Sequence, residues 1–383
     1  MKRHVDVVVI GGGVIGQSIA YYLSKSRVVT TVIEQGRSGR KATQAAAGML
    51  GVHTENDQEG TYYQFCQASR NMYASLSKEL FSLSGIDIQL STNGILEIAT
   101  NEEQKQRLRA KQNAFEGLEW LDAEGIRKRT SALSQAVGGL YMRRDGHVEP
   151  LKVCEAFKQA SLSMGGQLIE NCQVGEIVHD HDVFHIQIDN DVISADHVVV
   201  AAGVKSGRWF EATGLMNPMV PTKGECFAIK PSIQSIQQTL FFHNLYLVPK
   251  RDGRYIIGAT SYHDDSNSYT STGGIFELMN HLLKLFPSFK QEELHSCWTG
   301  VRPGTKDGKP IIGEHPEIPH LYFATGHYRN GILLAPATGK LVSDMVLKRY
   351  VPSSIQRLFT PNRFRKEGIT YADTRERTSG GGS

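Results

Sequence analysis

A glycine-punctuated turn between a buried strand and a helix constrains this chain more than any other feature. Residues 5–10, VDVVVI, form a nearly unbroken β-branched run, as expected of a strand buried on both faces of a parallel sheet. GGGVIG, residues 11–16, follows at once, and the continuation VIGQSIAYYLSKS sets Val14, Ile15, Ile19, Tyr22 and Leu23 on a helical stripe. VVTTVIEQG, residues 28–36, reads as a second strand closing on Glu34. The chain therefore opens as a βαβ unit, and Gly11-x-Gly13-x-x-Gly16 stands where a dinucleotide fingerprint must stand. Its glycines permit a tight turn and close approach of backbone to a pyrophosphate, the helix N-terminus supplies partial positive charge, and Glu34 can accept both hydrogen bonds of an adenosine ribose.

The fingerprint alone leaves NAD and FAD open. RKATQAAAGML (40–50) is a small-residue loop suited to backbone contact with a long cofactor, and AGVKSG places Ala202 and Gly203 at the carboxyl edge of the sheet. ATGHYRNGILLAPATG (324–339) ends a strand at Gly326 and starts a helix near Gly331, aiming a further positive helix end at a ligand. Three such contacts spread over the whole chain suit FAD better than NAD.

At 383 residues the chain exceeds the size at which one core usually keeps growing, so two domains are expected. A long amphipathic helix is predicted over 61–85, ended by Gly85, after which IQLSTNGILEIAT carries an Asn-Gly hairpin signal and Asn101 starts a polar helix. A helix at 149–166 opens on Pro150 and closes on Gly165, and ISADHVVVAAG returns to the buried-strand pattern. GECFAIK, LYLVPKRDGRYIIGAT and ELHSCWTGVRP, around a helix at 274–286, predict a second, largely antiparallel sheet. The expected class is α/β in two domains: a Rossmann-like FAD-binding domain (1–84, 147–218 and 304–369) interleaved with a mainly antiparallel substrate-binding domain (85–146 and 219–303), then a tail, 370–383.

Composition narrows the partners. A net charge of +3, from 42 basic and 39 acidic residues, advertises neither a nucleic-acid nor a membrane surface. Five cysteines without C-x-x-C spacing fit reduced thiols in a cytoplasm. The apolar run after the two basic N-terminal residues is short and carries Asp6, so neither a signal peptide nor a transmembrane helix is expected. HDHDVFH (179–185) reads as a turn before a strand rather than a metal site, and no metal is assigned.

VVVIGGGVIG, ATQAAAGML, VPTKGECF, GVRPGTKDGKPIIG and GHYRNGILLAPATG together resemble the D-amino-acid oxidase superfamily and, within it, the bacterial glycine oxidases of the thiamine thiazole pathway, from about residue 3 to 365. The resemblance implies non-covalent FAD lined by Gly11, Gly13, Val14, Ile15, Gly16, Glu34, Gln35, Ala42, Thr43, Ala46, Ala47, Gly48 and Met49. Val174 would touch the adenine end, Ala202 and Gly203 the sheet edge, and His327, Tyr328, Arg329, Asn330, Gly331, Ile332 and Leu333 the pyrimidine side of the flavin. It further implies that Arg302 clamps a substrate carboxylate, steadied by a Pro303-Gly304 turn, that Tyr246 adds a hydroxyl, and that Arg329 borders the substrate. Met49, Gly51, Phe241, Asn244 and Ser261 would form the rest of the pocket. The last three stand where the family tends to carry tyrosine, histidine and methionine. The implied reaction takes glycine, sarcosine, an N-substituted glycine or a small D-amino acid with O2 to imine or glyoxylate and hydrogen peroxide, in a homotetramer. A dehydrogenase using a quinone or protein acceptor is the alternative enzyme reading, and a non-catalytic flavin-binding protein the alternative from another class.

Overall fold

The computed structural model describes residues 3–365 apart from 131–132, 134, 190 and 243–244. Two sheets organise them. In the first, the Arg3–Ile10 strand lies between Thr30–Ile33 and Asp191–Val200, parallel to both, with Gln167–Ile169 beyond the former and Leu321–Thr325 beyond the latter. Ile311–Glu314 closes one edge antiparallel, and the Val174–Asp180/Val183–Ile188 hairpin joins antiparallel to Asp191–Val200. Both faces of the central strand are covered. Val7 and Val9 pack under the helices Val14–Lys25, Pro150–Ser163 and Gly331–Val346, while Val8 and Ile10 meet Phe184, Trp209 and Phe210 on the other side. That double burial is the physical reason for the unbroken β-branched run.

The second sheet runs Tyr262–His263, Met219–Lys230, Tyr255–Gly258, Leu245–Pro249, Thr239–Phe242, Ile95–Ala99, Gly138–Met142, Glu119–Leu121. The long Glu293–Thr305 strand pairs along the free side of Met219–Lys230. It is antiparallel throughout except where Ile95–Ala99 pairs parallel with Thr239–Phe242. Leu278, Leu282 and Leu285 of the Thr272–Leu285 helix cover one face, against Phe227, Ile229, Leu247 and Ile257. The other face presents Cys226, Tyr246, Val248 and Trp298 to Ala47 and Met49. Chemistry is placed on that second face.

Helix Thr61–Ser84 ends at Gly85 with φ +71°, Asn101 accepts from the Gln104 N–H to cap Glu102–Ala114, and Pro150 opens Pro150–Ser163, all as the residue patterns predict. Two expectations fail. Asn93-Gly94 makes no hairpin: Gly94 takes a positive φ of +78°, but Ser91 bridges His147, and the strand that follows pairs with distant segments. Nor do Pro303-Gly304 turn; they lie inside Glu293–Thr305, paired with Pro221 and Val220. Proline is tolerated there because this is an edge strand.

Candidate active site

The glycine turn is built by close approach. Gly11 has φ +110°, and a Cβ there would stand 2.5 Å from the Ala201 carbonyl oxygen. At Gly16 a Cβ would stand 1.9 Å from the Gly11 oxygen, so this glycine serves the seating of helix on strand and does not line the cavity beside it. The Gly12 N–H donates to Glu34 Oε2 at 2.7 Å, the Gly36 N–H to Oε1 at 3.0 Å, and the Val14 N–H to Thr43 Oγ1 at 3.1 Å. The turn, the end of the second strand and the Ala42–Ala45 helical turn are thereby tied together.

Along them runs a cavity of about 200 Å³. Gly11, Gly13, Val14, Ile15, Glu34 and Gln35 form its first wall, and Ala42, Thr43 and Ala46 its second. Val174 and Trp209 stand at one end, Ala202 and Gly203 at the sheet edge, and His327, Tyr328, Arg329, Gly331 and Ile332 at the other end. Arg37, Arg40, Lys41, Lys205 and Arg208 also line it. A groove with an apolar end, a wall of bare glycine backbone at Gly11 and Gly13, a buried acid and a set of cations fits a dinucleotide carrying a diphosphate.

Several residues expected on the cofactor lie behind the wall. Asn330 is buried, with its amide donating to Tyr62 Oη at 2.9 Å, and Leu333 packs in the core while its carbonyl accepts from Ser69 Oγ at 2.7 Å. His327 lines the cavity, but its Nε2 lies 3.0 Å from Thr338 Oγ1 inside the helix packing. Burial pushes its imidazole down to about 3. Ala47, Gly48 and Met49 belong to the neighbouring cavity.

That second cavity, about 880 Å³, shares Ala42, Ala46, Tyr328, Arg329 and Ile332 with the first, so the two are continuous. Arg302, Tyr246 and Ser261 all line it. Arg302 Nη1 donates to the Thr260 carbonyl at 3.2 Å. Tyr246 is buried with its hydroxyl 3.3 Å from Cys226 Sγ; burial, aided by Cys226 and opposed by Arg302, holds that hydroxyl protonated well above the usual tyrosine range. Arg329 pairs with Glu55 at 3.1 Å and stands 5.9 Å from the Phe241 ring. Ser261 Oγ is 3.4 Å from Tyr328 Oη on an exposed stretch.

Two expected pocket residues fall outside the lining. Phe241 is buried in its strand beneath Arg329, and Gly51 faces Thr54 and Ile95, where a Cβ would meet Thr54 Oγ1 at 2.2 Å. Asn244 lies outside the described residues. Conversely, Thr260, Cys226 and Glu55 touch the three key side chains and were not singled out in the sequence. Only Cys226, within GECF, lay in a motif that carried signal.

Comparison with known proteins agrees with this geometry. The chain is 40% identical to the glycine oxidase of Bacillus licheniformis over 370 residues, 96% of this chain and 100% of that one. It is 35% identical to the bifunctional protein ThiO/ThiG of Synechocystis sp., covering 95% of this chain and 55% of that longer protein. The crystal structure of glycine oxidase from Geobacillus kaustophilus superposes with a TM-score of 0.90 at 34% identity, over 96% of this chain and 100% of that chain. Residues 6–345 match the DAO family model, and with a dinucleotide cradle opening onto a cavity that holds an arginine and a protonated tyrosine, the chain belongs to the FAD-dependent oxidoreductases of that family.

Proposed function

We propose that the protein oxidises glycine and closely related small amines with O2, giving the imine and hydrogen peroxide, the imine then taking up water to release glyoxylate and ammonia or amine. One observation carries the reading: Arg302 and Tyr246, from two different strands, turn into the one cavity that opens onto the dinucleotide cradle. When bound, FAD supplies the acceptor for the hydride leaving the substrate Cα and returns the electrons to O2. The guanidinium of Arg302 pairs with the substrate carboxylate through two parallel donors, and the protonated Tyr246 hydroxyl donates a third hydrogen bond. Arg329, held by Glu55, borders the same space. Ala46, Leu245, Ala259 and Ile332 give it apolar walls, Ala46 and Ile332 at the end shared with the dinucleotide cradle. The amine arrives deprotonated, so its own lone pair drives bond cleavage and the chain supplies orientation. Ser261 leaves the wall short and exposed, which favours sarcosine and other N-substituted glycines beside glycine.

The same reading extends to context. The relative that joins ThiO and ThiG in one name supports supply of glycine imine to thiamine thiazole synthesis. The FAD is held non-covalently, as the resemblance implies: no cysteine follows Cys297 in the carboxyl-terminal motifs, and His327, the histidine beside the cradle, is engaged by Thr338; acid precipitation should leave all the flavin in the supernatant. A cytoplasmic homotetramer, with the two-domain division set out from the sequence, completes the proposal, and the five free thiols support a reducing compartment. Peroxide release from a panel of amines in air tests the activity. Glycine and sarcosine should both yield peroxide. Flavin reduction by glycine that is reoxidised by a quinone but not by O2 would make the protein a dehydrogenase instead.

A further inference from the structure

Two glycines of the second sheet lie directly beneath the two side chains that hold the carboxylate. Gly224 is on the Met219–Lys230 strand, two residues along from Thr222, the cross-strand partner of Arg302, and so on the same face. A Cβ at Gly224 would stand 2.4 Å from both Nη atoms of Arg302 and 2.5 Å from its Cζ. Gly258 is the direct cross-strand partner of both Tyr246 and Cys226. A Cβ there would stand 2.4 Å from the Tyr246 hydroxyl, 2.5 Å from its Cζ and 2.8 Å from Cys226 Sγ. Neither glycine has a left-handed φ, so a positive φ does not demand glycine at either place. What demands it is room.

We propose that Gly224 and Gly258 are positioning residues: the missing Cβ at each lets the Arg302 guanidinium and the Tyr246 phenol lie flat on the sheet and so sets the height at which the carboxylate is held. The inference rests on the reading of Arg302 and Tyr246 as carboxylate ligands. The geometry has a directional consequence. At Gly224 the obstructed atoms are the far end of a flexible side chain, so an added methyl displaces the guanidinium and leaves the strand where it is. Ordinary contact between heavy atoms needs about 3.5 Å, which moves the guanidinium by roughly 1 Å, and a misplacement of that size costs on the order of 100-fold in rate. Thr260 resists the movement, since its carbonyl holds Nη1, its hydroxyl accepts from the Glu225 N–H at 2.9 Å and its own N–H donates to the Glu225 carbonyl at 3.3 Å.

The test is a cycle on the FAD-loaded enzyme: wild type, Gly224→Ala, Arg302→Ala and the double variant. It is read by kcat/KM for glycine and for ethylamine, by the flavin absorbance change on titration with acetate, and by melting temperature. Gly224→Ala should lower kcat/KM for glycine and weaken acetate binding by about 100-fold, while ethylamine oxidation and melting temperature change little. In the Arg302→Ala background it should cost nothing further. The Arg302→Lys variant should be less affected by Gly224→Ala than wild type is, because an ammonium has no plane to lay over Gly224. If Arg302→Ala discriminates glycine from ethylamine but Gly224→Ala leaves glycine oxidation and acetate binding intact, or costs the same with and without Arg302, the positioning role is overturned and the carboxylate clamp stands. If Arg302→Ala affects both amines equally, the clamp itself is wrong and the inference falls with it. Should Gly224→Ala melt well below wild type or lose FAD, Gly224 is a packing glycine of the strand and the proposal is likewise overturned.

Discussion

Arg302 is held by one carbonyl, that of Thr260, and by the surface of its own sheet, so its donors face the cavity with little competition from the protein. Truncating one partner of a desolvated charge pair costs about 2–5 kcal/mol, so Arg302→Ala should lower kcat/KM for glycine by roughly 30- to 5,000-fold with FAD content unchanged; steady-state kinetics beside the flavin-to-protein absorbance ratio check both halves. Ser261 governs a different property. Its short side chain, exposed and 3.4 Å from the Tyr328 hydroxyl, leaves space at the wall. Filling it with Ser261→Met should shift the sarcosine-to-glycine ratio of kcat/KM toward glycine by about 10-fold, the lower end of what a few apolar contacts discriminate; an unmoved ratio would place residue 261 away from the substrate. Legibility at this scale was uneven. Arg302 sits in a motif and Tyr246 follows from the family resemblance alone, whereas Thr260 acts through a backbone carbonyl, which no residue pattern records, and Glu55 reaches Arg329 across 274 positions of chain.

Among the elements, strands buried on both faces and capped helices read directly from their residues, because β-branched runs and N-cap side chains are local causes of local structure. The two failures share an origin. Asn93-Gly94 and Pro303-Gly304 are turn dipeptides by propensity, yet each is overridden by pairing with segments far along the chain. Other long-range ties sit at single residues. Lys250, buried at the end of the Leu245–Pro249 strand, donates to the Ala47 carbonyl at 2.8 Å and the Val148 carbonyl at 2.9 Å, and pairs with Glu149 at 3.3 Å. It thereby pins the small-residue loop that walls the amine cavity onto the second sheet. Lys250→Met would strip three partners at once, and losing one side of a buried pair costs about 3–5 kcal/mol. A lowered urea midpoint with an unchanged slope is the expected result, together with weaker FAD retention; a wild-type midpoint would show the loop to be held by its packing alone.

Across the molecule, three buried histidines couple stability to acid. Burial lowers His147 and His327 to about 3 and His315 to about 4. Their unfolded value lies near 6.5, so below that pH the unfolded chain binds more protons and stability falls as pH falls, while above it these groups cost nothing. Each contributes about 1.4 kcal/mol per pH unit, so moving from pH 7.5 to 5.5 should remove roughly 4 kcal/mol from the three together. Urea titrations at the two pH values measure it, and His327→Gln, which can keep a bond to Thr338, should remove about a third of the drop. The first sheet carries a consequence of another kind, for synthesis. Its central strand, Arg3–Ile10, waits for one neighbour until Asp191–Val200 is made, and the cradle beside it is closed only by Tyr328–Ile332. On a ribosome adding 5–20 residues per second, the glycine turn is out for roughly 15–60 s before the last wall exists. The nascent chain therefore exposes an apolar strand it cannot yet cover, FAD can be captured only after residue 332 has left the exit tunnel, and a supply of free FAD should raise yield by rescuing chains made past that residue rather than by guiding shorter ones.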